Sequence, residues 1–162
     1  MINMTSIPTA APTAQNSEVR KTRSITRFFP AVARILMGLP LFISGLNGFL
    51  HLLPEPTPQI SEGALAFSDA LLKTGYMFHI IFATQLIVGV LLLANRFVPL
   101  ALVLFAPFIV NSIGFHAVLE HTGLPFAGVF LLLELYLAWQ YRESYVSVLA
   151  ARAVPSSKKF NS

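Results

Sequence analysis

The stretch FFPAVARILMGLPLFISGLNGFLHLL, residues 28–53, carries a single charged side chain of Lys, Arg, Asp or Glu type, Arg34, over more than the ~20 residues an α-helix needs to cross a hydrocarbon core. Three more apolar stretches follow, at 76–94, 97–119 and 124–141, each close to a spanning length and set apart by short polar breaks. With 55% hydrophobic and only 11% charged residues, a chain of 162 residues holds more apolar surface than one soluble core of that size can bury, so lipid must cover the rest. The expected fold class is all-α: a polytopic membrane four-helix bundle over residues 28–145, with the lipid bilayer as its first partner.

Outside the spans, residues 1–27 are rich in Thr, Ala, Pro, Ser and Asn without apolar periodicity, and read as a disordered tail. Residues 146–162 read as a flexible basic tail. A cleaved signal peptide is not expected, because the first apolar run is too long for one and ends in Pro54-Glu55-Pro56. Orientation follows from the excess of Lys and Arg on cytoplasmic segments. Arg20, Lys21, Arg23, Arg27 and Arg34 lie before or early in the first span, Arg96 in the central turn, and Arg142, Arg152, Lys158 and Lys159 after the last; only Lys73 falls on the opposite side. Both termini are therefore expected to be cytoplasmic. The same accounting explains the net charge of +4 without nucleic acid, since no basic run is interleaved with exposed aromatics.

The loop between the first two spans repeats Ile60, Ala64, Phe67 and Leu71 at helical spacing against Glu62, Ser68, Asp69 and Lys73. That pattern predicts a short interfacial helix in the first outer loop, the alternative being a connector with an apolar side. Pro30, Pro99 and Pro125 sit near expected helix starts, Pro54 closes the first helix, and Pro40 and Pro107 lie deeper, where each should kink its helix. Phe28, Tyr76, Trp139, Tyr141 and Tyr145 suit an interfacial aromatic belt. Gly38, Ser44, Gly45 and Gly48 thin the first helix for close approach of another, either within the chain or in a homo-oligomer.

Cysteine is absent, which excludes thiol redox chemistry and thiolate metal ligation by this chain alone. The polar residues inside the spans are the candidates for function. All the histidines, His51, His79, His116 and His121, fall toward the outer surface, while Ser44, Gln85, Asn111 and Glu134 lie deeper. Ser44, Asn47 and His51 form one helical stripe, and Ser112, His116 and Glu120 another, although Asn111 projects well away from His116. Asn47, His51, His79, Asn111 and His116 are thus the candidate binding residues, able to hydrogen-bond the carbonyls of a quinone or relay protons through imidazole. Equally, such residues serve as helix glue worth about 0.6 kcal/mol each. No metal site is expected, because no pair of histidines has a helical ligand spacing. Glu134 is the one deep carboxylate, and in lipid it needs a partner or a proton. Arg34 could reach inward to form a buried ion pair with it, or snorkel to the headgroups.

The segment Arg34-Ile-Leu-Met-Gly38-Leu-Pro-Leu-Phe42-Ile-Ser44-Gly45-Leu46 resembles the opening helix of the DoxX family of small bacterial four-helix membrane proteins. Gln85-x-x-x-Gly89 followed by Leu91-Leu-Leu-Ala-Asn95-Arg96 is similar to that family's second helix and its turn, with Gln85 standing where many members carry Glu. The resemblance implies a bacterial cytoplasmic membrane and association with redox complexes, such as a thiosulfate-to-quinone oxidoreductase or a mycobacterial oxidant-defence assembly. It implies no reaction. The expected role is a quinone-binding or docking subunit beside a membrane redox partner. The alternative is a non-catalytic assembly or stress-protection factor, and a small transporter ranks lower because no inverted repeat is visible.

Overall fold

The structure, a computed structural model, describes residues 14–53 and 61–146, with side chains from Phe28 onward. All its described elements are helical: α1 (Ala14–Leu50), α2 (Glu62–Lys73), α3 (Met77–Leu93), α4 (Val98–Val118) and α5 (Leu124–Gln140), with short 3-10 turns at His121–Gly123 and Arg142–Tyr145. Three helical stretches, Phe28–Leu50, Val98–Val118 and His121–Gln140, are long and apolar enough to cross a membrane by themselves. α3 has 17 residues, about 25 Å at 1.5 Å per residue, and reaches that standard only when joined to α2, from which it is bent by 93°. These are the helices of a membrane protein. Ile35, Leu36, Ile87, Val103, Leu132 and Leu135 are all exposed on their outer faces, more apolar surface than water tolerates.

Helix limits differ from the sequence reading at α1, for local reasons. It begins at Ala14, so residues 14–27, taken from composition as a disordered tail, have a helical backbone and Pro30 becomes interior like Pro40. Once a buried segment has nucleated a helix, polar residues extend it at a cost of tenths of a kcal/mol each. At its other end α1 stops at Leu50: His51 adopts φ +50°, its N–H bonds the Asn47 carbonyl, and Asn47 Oδ1 accepts from Leu53 N at 2.6 Å. Pro54, residues 1–13 and nearly all of the expected basic tail lie outside the described residues. Pro99 and Pro125 open α4 and α5, where a missing N–H is harmless.

The four long helices touch in a closed ring, α1 to α3, α3 to α4, α4 to α5 and α5 back to α1, with the α1–α3 contact the most extensive. Glycine makes that contact possible. A Cβ on Gly45 would lie 2.5 Å from Leu86 N, and one on Gly89 would lie 2.6 Å from Phe42 N. Gly38 faces Leu92 and Gly48 faces the Phe82 ring, so the pairings step back along α3 as they step forward along α1, an antiparallel seam. The small residues whose purpose the sequence left open thus line a contact within the chain. Buried side chains gather at one end of the ring: Met37 and Leu41, Val88 and Leu92, Leu102 and Phe105, and Leu137. At the opposite end, under α2, lie two cavities.

Candidate functional site

α2 forms because Ser61 caps it, its hydroxyl accepting from Ala64 N at 3.2 Å, and because Ala64 and Phe67 give it an apolar face. Ala64 is fully buried and Phe67 packs on Phe115 with ring centroids 5.4 Å apart. The start of α2 is tied to the α4–α5 corner. Ser61 Oγ donates to the Leu119 carbonyl at 2.5 Å and Ser61 N donates to Glu120 Oε2 at 3.3 Å. Glu120 Oε1 in turn accepts from Thr122 N at 3.1 Å and Thr122 Oγ1 at 2.7 Å. The hydrogen bonds from Thr122, hydroxyl first, and then that from Ser61 hold the Glu120 carboxyl below its ordinary value of 4.5.

Beneath α2 are two adjoining cavities that share Ser68 and Phe78. The larger, about 350 Å³, lies between α1, α2 and α3 and is lined by Gly48, His51, Asp69, His79 and Phe82. The second, about 200 Å³, lies between α2, α3 and α4 and is lined by Phe67, Phe108, Asn111, Ser112 and Phe115. Aromatic rings form the wall between polar groups. Phe78 stacks on Phe82 at 5.7 Å, and Phe49 stands 6.2 Å from both the His79 and the Phe82 ring. Gly48 has a specific part here, since a side chain there would occupy the space of the Phe82 ring.

Of the candidate residues, His51 and His79 meet in one cavity and Asn111 lines its neighbour. The other two serve the backbone. Asn47 caps the end of α1, and His116 Nδ1 lies 2.9 Å from the Glu120 carbonyl with its ring packed against Gly123. Ser44 Oγ donates to Gln85 Oε1 at 2.9 Å across the α1–α3 seam, with Gln85 buried. Ser68 and Asp69, on the polar face of α2 read from its periodicity, also line the cavities, with Asp69 exposed. A residue's place on a helix does not show what the helix is folded over.

The expected Arg34–Glu134 pair is replaced by another contact. Arg34 Nη1 donates to Tyr141 Oη at 2.7 Å, and Glu134 Oε2 has no hydrogen-bond partner among the described residues. Tyr141 stands seven residues from Glu134, about 10 Å along α5, and intercepts the guanidinium before it reaches that depth. Of the four deeper polar residues, Ser44 and Gln85 meet across the α1–α3 seam and Asn111 lines a cavity under α2, whereas Glu134 faces a separate groove between α4 and α5. No three His, Asp or Glu side chains among the described residues lie close enough to share a metal ion. Compared with known protein families, curated proteins and solved structures, the chain matches none.

Proposed function

We propose that this chain is a DoxX-like membrane subunit that binds a quinone in the cavities beneath α2 and serves a membrane redox partner. The observation that carries the reading is the pairing of His51 and His79 in a cavity of about 350 Å³ walled by Phe78 and Phe82. A quinone ring needs an apolar slot with hydrogen-bonding groups at its edge, and a cavity of that size falls in the range of small-molecule sites. Imidazole can donate a hydrogen bond to a quinone carbonyl or accept one from the hydroxyl of the reduced form. In this reading four helices cross a bacterial cytoplasmic membrane with both termini inside, α2 lies along the outer surface, and the isoprenoid tail leaves between helices into lipid. The Lys and Arg distribution supports that orientation.

The test is purification in mild detergent, followed by organic extraction and an absorbance scan for co-purified quinone. Wild-type protein is expected to carry it, and His51→Ala and His79→Ala to lose it without unfolding. A second reading, a non-catalytic assembly factor, is favoured by the local duties of Asn47, His116 and the Ser44–Gln85 pair. Quinone-free wild-type protein that also fails to take up added quinone decides for that reading.

A further inference from the structure

On the far side of α4 from those cavities, a groove of about 290 Å³ runs between α4 and α5, walled by Leu102, Val103, Ile109, Leu131 and Leu135. Its outer rim, Val103, Val110 and Leu135, is exposed where lipid would lie. Glu134 lines this groove, is 6% exposed as a residue, and has a fully buried Oε2 that receives no hydrogen bond among the described residues. A carboxyl so placed carries either a proton or a counter-charge, because an uncompensated charge in lipid is costly. Arg34, the basic side chain nearest in expectation, is engaged by Tyr141. Tyr145 closes one end of the groove, fixed by a 3.1 Å bond from its hydroxyl to the Pro99 carbonyl.

We infer that this groove is a binding site for a small hydrophobic organic cation, with the Glu134 carboxylate as its counter-charge. Each part of the site selects one feature of that ligand. Aliphatic walls take a compact apolar body and the carboxylate takes the ammonium. A hydrated metal cation fits poorly, since a single carboxylate replaces little of its water shell. Entry is from the bilayer, where such amines partition.

Full-length protein in lipid nanodiscs is treated with dicyclohexylcarbodiimide, to whose central carbon carboxyl groups accessible from lipid add, and the labelled peptide is identified by mass spectrometry. Glu134 is expected to be labelled, aminoadamantane to slow that labelling about tenfold at saturation, and adamantanol, the uncharged isostere, to leave it nearly unchanged. Equilibrium dialysis of radiolabelled aminoadamantane supplies a second measurement. Saturable binding is expected to weaken about tenfold or more in Glu134→Gln and in Ala106→Phe, which fills the groove while keeping the carboxylate. Absence of carbodiimide labelling at Glu134, equal protection by the alcohol, or binding that survives Ala106→Phe overturns the inference. None of these readouts depends on quinone.

Discussion

Placing a methyl group at Gly45 or Gly89 tests whether the α1–α3 seam holds the fold together. At Gly45 the added Cβ would sit 2.5 Å from Leu86 N and 2.8 Å from the Phe82 carbonyl, where ordinary contact begins at 3.4 Å. Both obstacles are backbone, so no rotamer relieves them and the helices must separate by roughly 0.9 Å, the difference between 3.4 and 2.5 Å. Separation of that size stretches the 2.9 Å Ser44–Gln85 hydrogen bond beyond useful length. Overpacking costs about 1–3 kcal/mol and the lost interhelical bond about 0.6 kcal/mol, against a gain of up to about 1 kcal/mol from replacing a helical glycine by alanine. The net expectation for Gly45→Ala or Gly89→Ala is a loss of about 1–3 kcal/mol, measured by unfolding in mixed micelles of dodecyl sulfate and a mild detergent. Gly114 and Gly128 provide the comparison, since a Cβ at either meets nothing within 4 Å. Their alanine variants should be neutral or more stable by up to about 1 kcal/mol. If all four alanine variants unfold at the same detergent fraction, the seam is not close-packed and the reasoning fails.

Asn47→Ala removes the acceptor for Leu53 N and should lower stability by about 1 kcal/mol while leaving quinone content intact, as thermal unfolding and organic extraction together would show. His51→Gly should do the reverse, raising stability by about 1 kcal/mol because φ +50° suits glycine, and abolishing quinone retention. Gly48→Leu should displace the Phe82 ring, collapse the larger cavity and lower quinone content more than thermal stability. The tie between α2 and the α4–α5 corner should depend on pH with a defined sign. Because the folded Glu120 carboxyl titrates below its ordinary value of 4.5, the stability it lends is complete above that value and is lost as pH falls through the lowered folded one. Spin labels on cysteines introduced at Ala66 and Val118 of this cysteine-free chain should report widening distances over that acid range, and Glu120→Gln should remove the pH dependence.

Helix positions were largely legible because each depends on composition within one segment. The stretch from Phe28 needed no partner to be recognised as membrane-crossing, and Pro99 and Pro125 marked starts that the structure keeps. α2 was legible too, through the recurrence of Ala64, Phe67 and Leu71. The site was less so. Asn47 and His116 share stripes with His51 and Ser112, yet each turns to a nearby backbone group, a choice set by how α1 and α4 terminate. Asp69 entered the site because α2 folds at 93° to α3, which no periodicity within α2 records.

By itself, then, the sequence determined the solvent of this protein and the segments that meet it, since transfer into lipid is a sum of per-residue terms along one helix. Tertiary structure alone decided which glycines form the α1–α3 seam, which histidines share a cavity, and that Arg34 spends its guanidinium on Tyr141 and leaves Glu134 without it. Those outcomes turn on the rotation and spacing of helices distant in sequence, where individual contacts differ by only about 0.6 kcal/mol.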